Sequence, residues 1–177
     1  MEQLLDSRGL TEQQAIERYR SRNYPKPALT ADIVIFRREP EHYELLLVRR
    51  GGHPYLGKWA LPGGFANENE PVEQTAAREL QEETGVSGLP LQLVDIFSQP
   101  GRDPRGWVVS AAFWSMVDHS QSIRAGDDAA DAAWFTLIHH RTGVELRCGD
   151  TVLTPEDLAF DHGRILASAL EHARLFL

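Results

Sequence analysis

Gly64-Phe65-Ala66-Asn67-Glu68-Asn69-Glu70, then seven residues, then Arg78-Glu79-Leu80-Gln81-Glu82-Glu83-Thr84-Gly85-Val86 form the most informative stretch of the 177-residue chain. Pro71 to Thr84 reads as a helix, with Pro71 in its first turn, helix formers through its interior and Gly85 just past its end. Glu79, Glu82 and Glu83 are spaced i, i+3, i+4, so they fall within roughly 100° of one another on one face. Ala77, Leu80 and Thr84 share another face, which is predicted to pack on a sheet. Between Glu68 and Glu83 the sequence holds six glutamates, one arginine and no lysine. Like charges at these spacings repel, and a helix selected only for stability would intersperse lysines. Converging carboxylates are instead the hard oxygen ligands that Mg²⁺ or Mn²⁺ requires. Arg78 is placed to hold one of them by a charge-assisted hydrogen bond.

Outward from this helix, the chain alternates strand-like and helical segments. On the N-terminal side, Gly51 to Gly64 is too rich in glycine and proline to be one regular element. Before it, Asp32–Phe36 and Tyr43–Arg49 read as strands separated by the turn-prone Glu39-Pro40-Glu41. Residues 11–20 read as a short helix, with Thr11 as cap and Gln14 completing a capping box. Pro25 and Pro27 then force an extended passage. On the C-terminal side, Leu91–Phe97, Trp107–Val117 and a shorter Ala133–Leu137 read as strands. Thr154 to Leu177 reads as one closing helix, with Leu158, Ile165, Leu166, Ala169 and Leu170 at helical spacing. Strands mixed with two or three helices imply an α/β layered sandwich. Residues 1–27 are expected to form a helical arm and residues 28–177 the main domain.

Composition bounds what such a sandwich does. Hydrophobic residues make up 42% and charged residues 25%, the balance of an ordinary globular protein. The net charge of −8 argues against nucleic acid or an anionic membrane as partner. No apolar run reaches the roughly 20 residues needed to span a bilayer. The first ten residues lack the pattern of a signal peptide. The single cysteine, Cys148, rules out an internal disulfide and favours a reducing compartment, so a cytoplasmic protein is expected.

The acidic stretch resembles the Nudix box, G-x5-E-x7-R-E-U-x-E-E-x-G-U with U aliphatic. It matches at Gly64, Glu70, Arg78, Glu79, Leu80, Glu82, Glu83, Gly85 and Val86, and the preceding Trp59-Ala60-Leu61-Pro62-Gly63 is also similar to the family's usual lead-in. The resemblance implies an α/β/α sandwich around a mixed β-sheet. It also implies divalent metal, Mg²⁺ or Mn²⁺, on Glu79, Glu82, Glu83 and the Gly63 carbonyl, with Gly64, Glu70 and Arg78 in support. The expected chemistry is hydrolysis of a diphosphate by water, aided by the metal charge. The general base is either a helix carboxylate, Glu82 or Glu83, or an acidic residue of the loop 126–131, with Asp127 and Asp128 the candidates. Relatives use an equivalent loop in this way.

Specificity is read from other segments. Arg102 and Arg105, in the Pro- and Gly-rich segment 98–107, offer planar charged forks for phosphate or ribose. Pro100, about fifteen residues after the box, and the string Arg102-Asp103-Pro104-Arg105-Gly106 resemble the ADP-ribose pyrophosphatase branch. Arg50, at the end of the second strand, is expected to face the phosphates. An aromatic platform is expected for the base, with Tyr24, Trp107 and Phe36 as candidates. The histidines, His139 and His140 among them, show no metal-ligand spacing with the helix and are taken as bystanders. The expected substrate-binding set is thus Arg50, Arg102, Asp103, Arg105 and Tyr24, and the expected reaction converts ADP-ribose and water to AMP and ribose 5-phosphate.

Two rivals stand beside this reading. One is a pyrophosphohydrolase of nucleoside triphosphates or dinucleoside polyphosphates. The other is a non-catalytic ADP-ribose-sensing module, since residues 158–166 also resemble a helix of Nudix-like transcription regulators. The intact box and a chain ending at Leu177, without space for a DNA-binding domain, argue against the sensor. Relatives with such an N-terminal arm imply a homodimer.

Overall fold

A computed structural model of the chain describes residues 4–118 and 129–175, with the backbone alone at 129 and 130. The elements run α1 (Glu12–Ser21), β1 (Ala28–Arg38), β2 (Tyr43–Arg50), β3 (Trp59–Ala60), β4 (Gly63–Phe65), α2 (Val72–Thr84), β5 (Gln92–Phe97), β6 (Val108–Asp118), β7 (Ala129–His140), β8 (Gly143–Cys148), β9 (Thr151–Leu153) and α3 (His162–His172). The main sheet has the order β5-β6-β1-β2-β7-β8-β9, with β3 on β2 and β4 on β1. β1 runs parallel to β6, and the other pairings are antiparallel, so the sheet is mixed.

Alternation along the central strands builds two cores from one sheet. Val34, Phe36, Leu45 and Leu47 point to the face covered by Ile165, Leu166 and Ala169 of α3. Ala31, Ile33, Ile35 and Leu46 point to the opposite face, where Ala76 and Leu80 of α2 lie. Burial on both faces explains why β1 and β2 are nearly unbroken apolar runs. The α/β/α sandwich is therefore present. Among the described residues, no helix is long and apolar enough to cross a membrane.

Four expectations need correction. The face of α2 that meets the sheet is Thr75, Ala76, Leu80 and Thr84, whereas Ala77 is exposed. Pro71 sits one position before the helix rather than inside its first turn. The strand placed at Ala133–Leu137 extends over the whole of β7, and β8 and β9 follow it. Most consequentially, the closing helix is not continuous. Thr154 caps only a short 3₁₀ turn, Pro155–Asp157, by pairing with Asp157. Phe160 then adopts a left-handed backbone, φ 54°, which ends any helix for a residue with a Cβ. Only at His162 does α3 begin. The arm behaves as read at its start: Thr11 and Gln14 form the reciprocal cap of α1, yet α1 buries no residue.

Candidate active site

The cavity lies where β4 pairs antiparallel with the start of β1, beside the N-terminal end of α3. It measures about 470 Å³, and its wall includes Arg50, Gly63, Phe65, Glu83, Arg105 and Phe160. The Gly63-Gly64 pair is its key backbone. The Gly63 N–H donates to a carboxylate oxygen of Glu83 at 2.9 Å. On the next residue, a Cβ at Gly64 would lie 2.4 Å from the Glu79 carboxyl carbon and 2.5 and 2.6 Å from its two oxygens. Two glutamates from successive turns of α2 thus rest against successive residues of one glycine strand. A side chain at Gly64 would displace Glu79, whereas one at Gly63 would meet the Ala31 carbonyl oxygen at 2.2 Å.

Arg78 organises the rest of the box. Its Nη1 donates to Glu79 at 2.6 Å and to Glu82 at 3.0 Å, and its Nε and Nη2 clasp both oxygens of Glu70 at 2.9 and 3.1 Å. Nη2 also reaches the Phe65 carbonyl at 3.0 Å. Glu70 accepts further hydrogen bonds from the Asn67 N–H and the Thr75 hydroxyl. The Arg78 clasp, helped by the Asn67 N–H, holds the Glu70 carboxyl down at about 2. Carboxylates around Arg78, Glu70 first, push its guanidinium the other way, upward.

Glu79 and Glu83 carry the opposite signature. Burial raises both, and Glu83 is pushed up to about 7, with neighbouring Glu79 and Asp32 adding to the effect. A carboxylate taken out of water and crowded by like charge either keeps its proton or is held charged by a cation. Among the described residues no three His, Cys, Asp or Glu side chains already stand as a finished metal cage. Arg78 holds Glu79 and Glu82, and the Gly63 N–H holds Glu83. The donor set nevertheless suits Mg²⁺ or Mn²⁺: hard oxygens from one face of α2 beside a glycine backbone that can be approached closely.

Behind the glycines lies a buried polar network. Asp32 accepts from Ser110 Oγ at 2.5 Å and stands 3.4 Å from His162 Nε2. The Leu61 N–H donates to His162 Nδ1 at 2.9 Å, which assigns the ring proton to Nε2. Burial lowers the His162 pKa, consistent with a neutral ring. His162 therefore ties the start of α3 to the turn that leads into Gly63. It was not a bystander.

The expected substrate residues divide into two groups. Arg105, Asp103 and Arg50 are brought to the cavity. Buried Asp103 accepts two-pronged bonds from Arg105 at 2.6 and 3.0 Å, while Arg50 donates through Nε to the Pro54 carbonyl and makes no salt bridge among the described residues. Arg102 borders the cavity, but its side chain is only 4% exposed and is bound to Asp161 at 2.6 and 2.9 Å. Tyr24 is elsewhere, stacked on Tyr19 of α1 with centroids 5.2 Å apart. Phe36 is core, and Trp107 is exposed outside the cavity. Asp127 and Asp128 lie outside the described residues, although β7, which follows them, pairs Ala129 with Arg50 at the cavity rim. Asp32, His162, Phe65 and Phe160 were missed. An aspartate inside the apolar run Ala31–Phe36 was the available signal for the first, since buried charge in a strand is rare.

Residues 26–145 match the NUDIX domain. The chain belongs to the Nudix family. This Nudix hydrolase is 34% identical over 160 residues to the ADP-ribose pyrophosphatase of Methanocaldococcus jannaschii, covering 90% of the chain and 82% of that protein. It is 30% identical over 161 residues to the ADPR responsive transcriptional repressor NtrR of Acinetobacter baylyi, covering 90% of the chain but 59% of the repressor. Among solved structures, a MutT/nudix family protein from Enterococcus faecalis superposes with a TM-score of 0.83 at 35% identity, over 94% of this chain and 71% of that one. The NUDIX domain of Shewanella oneidensis NrtR, solved with ADP-ribose, superposes at 0.75 and 28% identity, over 93% and 99% of the two chains.

Proposed function

We propose that this Nudix hydrolase cleaves the diphosphate of ADP-ribose, with water as the nucleophile, giving AMP and ribose 5-phosphate. The observation that carries the reading is the pair of half-buried glutamates, Glu79 and Glu83, laid against Gly64 and Gly63 at the edge of a cavity that also presents Arg50 and Arg105. Glu79, Glu82, Glu83 and the Gly63 carbonyl would hold Mg²⁺ or Mn²⁺, which when bound supplies positive charge to the diphosphate and acidifies the attacking water. Glu70 and Arg78 keep the helix carboxylates in register with the glycines. Arg50, whose fork has no acidic partner among the described residues, and Arg105 neutralise the diphosphate. Glu82 or Glu83 from the helix, or Asp127 or Asp128, takes the proton from water. Similarity to the pyrophosphatase and to a domain solved with ADP-ribose supports the choice of nucleotide.

A second reading, an ADP-ribose sensor, is favoured by the similarity to the repressors. The complete box favours the enzyme. Incubation with Mg²⁺ and a panel of nucleotides separates them: ADP-ribose should be converted to AMP and ribose 5-phosphate faster than any triphosphate or dinucleoside polyphosphate. Binding of ADP-ribose without consumption would establish the sensor, and preferred cleavage of a triphosphate would remove ADP-ribose as substrate. Glu82→Gln, Glu83→Gln, Asp127→Asn and Asp128→Asn, made singly, locate the base, whose loss should lower kcat by about 10²- to 10⁴-fold.

A further inference from the structure

One planar cation in the cavity faces two phenyl rings. The guanidinium carbon of Arg105 lies 4.6 Å from the ring centroid of Phe65 and 5.3 Å from that of Phe160. The rings come from separate elements, β4 and the turn before α3. Phe65 lies outside the core clusters, and Phe160 packs only in part, against the small cluster of Val48, Ala60 and Ala159. Phe65 is 40% exposed, and Phe160 holds its ring here from a left-handed backbone, φ 54°, a conformation that bulky residues seldom adopt away from functional sites. Tyr55 braces Phe160 edge-on, with centroids 4.7 Å apart. Arg50 also lies over the Phe160 ring, at 4.9 Å, so two like charges share one aromatic wall.

We infer that Phe65 and Phe160 form the base subsite of this cavity. A planar heteroaromatic base, the purine of the nucleotide, stacks on the two rings in the space the Arg105 guanidinium now takes. Arg105 turns toward the diphosphate, still tethered through Asp103. A guanidinium and a purine are both flat, delocalised and suited to stacking on phenyl faces, so the slot that fits one accommodates the other. The incoming diphosphate also relieves the repulsion between Arg50 and Arg105. This assignment rests on the nucleotide reading above and specifies which end of the substrate lies where.

The test uses the full chain with Mg²⁺, titrating AMP and ribose 5-phosphate separately by calorimetry. Phe65→Leu should weaken AMP about tenfold, as expected for one lost base–aromatic stack, and change ribose 5-phosphate less than about twofold. Phe65→Tyr should restore AMP binding. Phe160→Leu should act in the same sense. Because that position is conformationally demanding, the exposed Phe65 carries the decision if Phe160→Leu fails to fold. Unchanged AMP affinity in Phe65→Leu, or equal losses for both ligands, would overturn the subsite. The measurement needs no turnover, so Phe65-dependent AMP binding in a protein that leaves ADP-ribose intact refutes the reaction and keeps the subsite. Cleavage of ADP-ribose with undiminished AMP binding in Phe65→Leu does the reverse.

Discussion

At the scale of single residues, two adjacent glycines do different jobs, and substitution separates them. Gly63 has φ 154°, and a Cβ there would lie 2.2 Å from the Ala31 carbonyl oxygen. Backbone on the neighbouring strand cannot give way, so Gly63→Ala should destabilise the fold by on the order of 1–3 kcal/mol, read from a denaturant midpoint. Gly64 needs no unusual φ. Its added Cβ would meet only the far end of Glu79, which can swing aside. Gly64→Ala should therefore melt within a few degrees of the parent protein yet lose activity by at least about tenfold, because Glu79 is displaced from the glycine strand. Comparable melting losses in the two variants would show that Gly64 serves the fold and not the site. The box positions were legible in sequence because their spacing maps directly onto one helix face. Asp32 was marked only by its charge within an apolar run, and His162 and Phe160 by nothing local. Their partners, Ser110, Leu61 and Arg105, lie far away along the chain, and no local pattern encodes such contacts.

Elements were legible where local chemistry decides them and illegible where tertiary contacts do. The cap of α1, the extent of α2 and its left-handed Gly85 end follow from residues within one turn. The segment 154–177 has helical spacing of apolar residues, but the spacing is satisfied by two elements with a reversal between them. The Ala159 N–H is taken by the Trp59 carbonyl at 2.9 Å, and Gly163 lies so near Pro155 that a Cβ would fall 2.3 Å from its carbonyl oxygen. That break brings Phe160 and His162 to the cavity and Asp161 to Arg102. The loop before α2 has its own test. Glu70 joins Asn67, Thr75 and Arg78, and its folded pKa of about 2 lies below the ordinary 4.5. A carboxylate lowered on folding contributes stability above its unfolded value, and the contribution disappears as pH falls toward the folded value. Urea midpoints of the parent protein should therefore decline between about pH 4.5 and 2, while Glu70→Gln, weaker at neutral pH, should show a flatter decline. Parallel pH profiles for the two proteins would mean that Glu70 does not stabilise this loop.

At the scale of the whole molecule, the arm stands outside the cores of the sandwich. Its two cores draw no residue from α1, and α1 buries nothing. The arm nonetheless exposes Leu4, Leu5, Ile16, Tyr19 and Tyr24, a concentration of apolar side chains that water disfavours unless a partner covers it. We propose a second copy of the chain as that partner, on the ground of charge. The first 27 residues carry five basic and four acidic side chains, so all of the chain's excess negative charge lies in residues 28–177. A near-neutral, arginine-bearing arm is suited to the acidic body of a second copy, whereas a nucleic acid or anionic membrane would be repelled by the rest of the protein. The full chain should sediment as a homodimer. Residues 25–177 should sediment as a monomer and, measured at low concentration where dimerisation adds little, should melt within a few degrees of the full chain. A monomeric full chain at micromolar concentration would remove the dimer. A truncated chain that fails to fold would show instead that the arm belongs to the domain, through contacts with its own sandwich.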